Sequence, residues 1–301
     1  VVIAAPDDQH LPIFQQLCEH KGDRKFIVIM EKPIGDGHGE GAEVVRLANE
    51  HGIIIVVCNT WQYAFGATAA GLIGQSGLLG EPVGGATEYL QQFAGVGVPS
   101  SAIGFRGALS GNQFGSRQDL GPHSDQGATD TSGCKIVAAQ CAEMCLGADE
   151  PERTAAAILQ FQGPSRRFIV TSQTTRMWKG RRNDMKVEIA FENGRLVYRN
   201  TEPDKFGIFQ DSVGWREFTR EGGENGDVDI AEYLMDAQAL CPHFWGFGDD
   251  QGQGHWGRAQ GPEAHINGFH DNIAAVHFRA YLLYLDWAEG EFGEIPEDRY
   301  G

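Results

Sequence analysis

The chain has 301 residues, 41% of them hydrophobic and 22% charged, with 41 glycines and a formal net charge of -17. That hydrophobic share belongs to a folded globular protein and excludes a disordered one. A negative field of this size repels phosphate backbones and anionic lipid heads, so neither nucleic acid nor a membrane surface is an expected partner.

No apolar run approaches the ~18 residues of a membrane span. The opening VVIAAPDDQH lacks the basic region and apolar core of a signal peptide. In chain order, VVIAA is a short β-branched run. LPIFQQLCEHKG reads as a helix with Ile13, Leu17 and Phe14 inward, and KFIVIM is a second strand. GAEVVRLANEHG is a second helix and IIIVVCN a third strand. Continuous apolar strands separated by helices predict a parallel sheet covered on both faces, part of a doubly wound α/β unit. Such a unit should not open on an interior strand. Further βα units, on the order of 60–80 residues, are therefore expected before residue 1, with a strand from another chain as the alternative.

After Asn59 the pattern changes to alternation, in Thr154 to Gln162, Arg167 to Thr175, Lys186 to Phe191 and Arg195 to Arg199. In the third of these Val187, Ile189 and Phe191 face one way, and Lys186 and Glu188 the other. Asn193-Gly194 between two such runs signals a hairpin. This half is expected to be a mostly antiparallel open sheet within an α+β domain. Pro242 to Gly261 reads as an irregular loop, and Ile266 to Leu285 returns to helical spacing. The division is 1–62 for the partial α/β domain and 63–301 for the second. The six cysteines, Cys18, Cys58, Cys134, Cys141, Cys145 and Cys241, match no zinc spacing and suit a reducing cytoplasm.

Gly37-x-Gly39-x-x-Ala42 matches a dinucleotide fingerprint by letter. However, Glu31 to Asp36 separate it from the strand end at Met30, and no acidic residue closes IIIVVCN to hold a ribose. A turn is the better reading. The tripeptide Glu31-Lys32-Pro33 is more informative, because it puts an amine just past the C-terminal end of a parallel strand, where open α/β sheets bind ligands. The opening strand meets Ala5-Pro6-Asp7-Asp8 at the same edge. Downstream, DLGPHSD places Asp119 four residues before His123. Pro122 suits a first helical turn, so a helix is expected to start there with Asp119 just ahead of it. Carboxylate, imidazole and amine together suit alcohol oxidation, in which a base must take the hydroxyl proton. Taken singly, His123 suits a core histidine and Asp119 an N-terminal cap.

In this order VVIAAPDDQHLP, EKP and DLGPH resemble the Gfo/Idh/MocA oxidoreductases, the glucose–fructose oxidoreductase and inositol dehydrogenase family. LLGEPVGGATEYLQQF, the alternating strands with their hairpin, and GPEAHINGFHDNI extend the resemblance over nearly the whole chain. It implies an N-terminal domain binding NAD or NADP and a second domain whose open sheet walls a sugar or cyclitol pocket and forms homo-oligomers. It further implies that Lys32, Asp119 and His123 are catalytic, with His123 as acid/base. Ala5, Pro6, Asp7, His10, Glu31, Pro33 and Asn59 would line the nicotinamide end of the cofactor, the only end retained, and no residue would bind metal. Two departures stand out: Gly261 replaces a histidine of close relatives, and SDQGATDTSG is unusually polar. Two other readings stay open, a non-catalytic dimerising fragment and an NAD-assisted glycoside hydrolase. A metal hydrolase using His243, Asp249, Asp250 and His255 is set aside, because their spacing matches no ligand pattern and solvated loop residues are the better reading.

Overall fold

A computed structural model describes residues 1–36, 39–92, 115–146, 151–181, 183–220, 222–223 and 228–240, together with Val276 and Ala280. The first strands, β1 (Val2–Ile3), β2 (Ile27–Met30) and β3 (Ile54–Val57), form a parallel sheet in that order. Helices α1 (His10–His20) and α2 (Glu40–His51) connect them. One face packs Val28 and Met30 against Phe14, Cys18, Val44 and Ala48. The other packs Ile27 and Ile29 against Tyr63, Val276 and Ala280. Alternate β2 side chains thus enter different cores, which is why its run is apolar throughout.

Helix α1 is rotated from the expected face. Its buried line is His10, Phe14 and Cys18, while Ile13 and Leu17 are only partly covered. Residues four apart stack on one face, and His10 can join that line because both ring nitrogens meet carbonyls. The sequence's Gly37 lies outside the described residues. Gly39, with φ 100°, ends the connection that leads into α2.

Among the described residues the second sheet has nine strands. They are β4 (Pro82–Leu90), β5 (Lys135–Met144), β6 (Thr154–Gln162), β7 (Arg167–Thr175), β8 (Asp184–Phe191), β9 (Gly194–Arg199), β10 (Lys205–Gln210), β11 (Gly214–Thr219) and β12 (Gly222–Gly223). Their order is β12-β11-β10-β9-β8-β4-β7-β6-β5, with β4 parallel to β7 and every other pairing antiparallel. The expected β8–β9 hairpin forms, but its turn is Glu192-Asn193 and Gly194 already pairs with Phe191. Glycine is required there for a different reason, since a Cβ at 194 would lie 2.3 Å from the Phe209 carbonyl oxygen.

Helices α3 (Phe65–Gln75), α4 (Ser116–Ser132) and α5 (Val228–Leu240) complete the α-helices of the described residues. Ala70, Ile73, Leu120 and Ala128 share a core with Leu159, Val170, Val187, Ile189 and Leu196 on the inner face of the sheet. Nothing in the sequence pattern signals α3, whose glycines disfavour a helix. Tertiary packing uses them. A Cβ on Gly66 would stand 2.1 Å from the Lys205 carbonyl oxygen, and one on Gly74 2.0 Å from that of Thr131.

Helix α4 does not start at Pro122. Asp119 lies within its first turn, Pro122 is inside it, and Gly115 is the N-cap. The start moves upstream because a neighbouring chain segment supplies the cap. Glu152 accepts from the Ser116 N–H through its carbonyl (3.0 Å) and from the Arg117 N–H through Oε1 (2.6 Å). The polar side chains are satisfied locally: Thr129, Thr131 and Ser132 donate to carbonyls a turn back. Arg117 and Asp125 pair beside Ser172 of β7.

Because α3 and α4 meet backbone to backbone at Gly74, Gly74→Ala should cost about 1–3 kcal/mol. The check is a lower urea midpoint at unchanged slope; an unchanged midpoint would show that this contact has slack.

Candidate active site

Strands β1, β2 and β3 run parallel, so Asp7, Lys32 and Asn59 follow their C-terminal ends at one edge of the sheet. His10 ties two of these connections together, with Nε2 2.9 Å from the Ala5 carbonyl oxygen and Nδ1 2.9 Å from that of Pro33. Pro6 precedes a single 3-10 turn, Asp7–Gln9, and its carbonyl accepts from the Gln9 N–H. The Lys32–Pro33 peptide is cis. Lys32 Nζ donates to Asp119 Oδ1 at 2.5 Å and to the Asp119 carbonyl oxygen at 2.8 Å. The small sheet and α4 are therefore joined at this edge by an ion pair whose members are largely covered.

The other Asp119 oxygen, Oδ2, accepts from Arg176 Nη2 at 2.7 Å. Arg176 follows β7 and is only 1% exposed. One carboxylate thus bridges two cations from different sheets. No sequence signal pointed to Arg176, because an arginine ending an alternating strand reads as solvated.

One helical turn beyond Asp119, His123 lies on the same face of α4. Its ring packs against Tyr89 at 5.9 Å between centroids. Among the described residues its buried Nδ1 has no hydrogen-bond partner. Burial first, and then the nearby Lys32 charge, push the imidazole down to about 3, with Asp119 opposing. His123 is therefore neutral at ordinary pH. Tyr89 is held in turn by Trp61 Nε1 at 3.3 Å and by Asn183 Oδ1 at 3.2 Å.

Asp7 is buried, and loss of hydration raises its carboxyl to about 6, against its backbone hydrogen bond and the charges of His10 and Lys32. Glu31 Oε2 accepts from the Lys32 N–H at 3.3 Å. Burial, then the Glu31 charge, push the Cys58 thiol up to about 12. Among the described residues, the buried Asn59 Oδ1 and Thr60 Oγ1 past the end of β3 have no hydrogen-bond partners. The edge therefore gathers Lys32, Asp119, His123 and Asp7, with Asn59 and Glu31 flanking. Ala5, Pro6, His10 and Pro33 shape the connections. Among the described residues no group of His, Cys, Asp or Glu could hold a metal ion. His243, Asp249, Asp250, His255 and Gly261 lie outside them.

No family model matches the sequence, and no curated protein matches it by sequence. Solved structures do match the fold. An inositol dehydrogenase homolog from Azotobacter vinelandii, complexed with NAD+, superposes with a TM-score of 0.74 at 15% identity, covering 100% of this chain and 70% of its own. The same homolog complexed with NADH and myo-inositol gives 0.72 at 15%, with the same coverage. A levoglucosan dehydrogenase in complex with NADH and L-sorbose gives 0.69 at 18%, covering 99% of this chain and 72% of its own. The chain has the fold of these oxidoreductases, a small parallel sheet followed by a large mixed sheet with helices.

Asp7 makes stability depend on pH. Its folded carboxyl holds a proton more tightly than the ordinary 3.8, so its contribution is complete below that pH and lost as pH rises through about 6. The loss is at most about 3 kcal/mol. Asp7→Asn should flatten the stability profile over that window and leave the protein at least as stable at higher pH, as read by urea midpoints. A profile as steep as the wild type's would assign the slope to another group.

Proposed function

We propose that the chain is a Gfo/Idh/MocA-type oxidoreductase that uses NAD or NADP to oxidise a secondary alcohol of a sugar or cyclitol, and the reverse. One observation carries this reading: Lys32 is bonded to Asp119, and His123 stands one turn on, at the ligand-binding edge of a parallel sheet. The shared fold with proteins complexed with NAD+, NADH, myo-inositol and L-sorbose supports the cofactor and substrate class. We place the division between a cofactor part and a substrate and oligomerisation part at residue 62. The free cysteines among the described residues suit a reducing cytoplasm.

The residues present fit the nicotinamide end of such a cofactor. Asn59 Oδ1 and Thr60 Oγ1 are buried atoms without partners among the described residues, as a carboxamide's donors and acceptor require. Asp7 and Glu31 follow the ends of β1 and β2 at the same edge of the sheet. When bound, the nicotinamide supplies the hydride acceptor.

The chain's own residues handle the proton. A carbinol hydroxyl lodged between Lys32 Nζ and His123 Nε2 meets an amine and a neutral imidazole. An imidazole pushed to about 3 orients the hydroxyl better than it stores a proton. In our reading Lys32, having first released its own proton to solvent, therefore takes the hydroxyl proton, and Asp119 holds the amine in place through two hydrogen bonds. The outer face of the second sheet would form the homo-oligomer, since Ile158 and Ile169 on adjacent strands are 50% and 51% exposed.

Supplied with NAD+ or NADP+ and myo-inositol, levoglucosan or L-sorbose, the protein should produce reduced nicotinamide, read by absorbance. Saturable NADH or NADPH fluorescence should accompany it. No saturable signal with either cofactor would sink the proposal. Lys32→Ala should lower kcat by about 10²–10⁴, whereas His123→Asn, which still hydrogen-bonds, should lose much less; equal losses would return proton storage to His123. Ile158→Glu should dissociate the oligomer in sedimentation, and an unchanged mass would move the interface elsewhere.

A further inference from the structure

We propose that Arg176 is a positioning residue that sets the proton affinity of Lys32 through the carboxylate they share. Lys32 Nζ holds Asp119 Oδ1 and Arg176 Nη2 holds Asp119 Oδ2, so a single negative charge is divided between two cations. A guanidinium keeps its charge in proteins, and an amine does not have to. Arg176 is 1% exposed and Asp119 and Lys32 are mostly covered, so water screens this competition poorly. The arginine therefore does two things. It turns the carboxylate, fixing which oxygen faces Lys32, and it draws off part of the charge that would otherwise hold the amine as ammonium.

Position in the fold makes the pairing rigid. Arg176 leaves the end of β7, and its N–H donates to the Arg153 carbonyl at 2.9 Å. The neighbouring Thr154 and Thr175 hydroxyls lie 2.7 Å apart across β6 and β7. Glu152, on the adjoining segment, feels the Arg176 charge as well, and burial raises its carboxyl. Asp7 lies close enough to feel both Lys32 and Asp119. The guanidinium is thus delivered by the sheet, the carboxylate by α4 and the amine by the small sheet. As a statement about turnover this rests on the dehydrogenase reading above; the charge relation between the three groups does not.

The test reads the amine directly. The whole chain is treated with a trace of acetic anhydride at mildly alkaline pH, and acylation of Lys32 is measured by peptide mass spectrometry relative to exposed Lys25. Arg176→Met should slow Lys32 acylation by about tenfold, the effect of one unit of proton affinity. Arg176→Lys should stay within about twofold of the wild type, because the charge is restored. Asp119→Asn should move the rate the opposite way, since the two cations then face each other. A purely structural role for Arg176 would give no such opposition of sign. Unchanged acylation in folded Arg176→Met, or a shift of the same sign in Asp119→Asn, overturns the inference. Should the methionine variant fail to fold, Arg176→Gln repeats the test with an N–H retained and the charge removed. If neither folds, Asp119→Asn decides: a rate that does not rise refutes the proposal. Expected acylation shifts without any nicotinamide reduction by the wild type would sink the dehydrogenase reading and leave this one standing.

Discussion

The Asp119 carboxylate is the point on which the rest of the site depends. It takes an ammonium from the edge of the small parallel sheet and a guanidinium from the end of β7 in the large one. An ion pair drawn out of water holds only when each charge is answered and the remaining lone pairs are used. Here the backbone carbonyl of Asp119 also accepts from Lys32, so the contact has direction as well as charge. The relative placement of Lys32 and His123 follows from this one contact, because His123 stands on the helix that Asp119 anchors.

That helix is an unlikely-looking anchor on composition alone. It carries serines, threonines, aspartates and glycines where an apolar stripe is usual, and a proline in its body. Its stability comes from outside and from within: Glu152 covers its first N–H groups, and hydroxyls bond back along its length. Gly127 lets it sit close to the sheet, since a Cβ there would meet the Tyr198 hydroxyl at 2.4 Å. The same economy of size governs the contact between α3 and α4. Close approach of backbone to backbone fixes the angle at which α4 carries Asp119 and His123.

Environment separates titrating groups that the sequence presents as equals. Asp7 and Asp119 are both aspartates at one sheet edge. Asp119 is met by two cations, while Asp7 is dominated by the loss of water and rises to about 6. His123 is driven the other way for a base, down to about 3, by burial and by the same lysine it would work beside.

Local pattern alone determined the βαβαβ order, the parallel sheet, the alternating strands β6 to β9 and the lysine beyond β2, because each is written in the period of neighbouring side chains. It did not reveal β5, an edge strand exposed along its length, since a strand that buries no face leaves no alternation to read. It did not reveal α3 either, whose glycines serve contacts with distant carbonyls. It put the start of α4 too late, because the acceptor for its first N–H groups is Glu152, far along the chain. Arg176 and the partnership of Lys32 with Asp119 were decided only by tertiary structure. A charge pair across 87 residues has no local period, and it exists only where two sheets and a helix bring its members within hydrogen-bond distance.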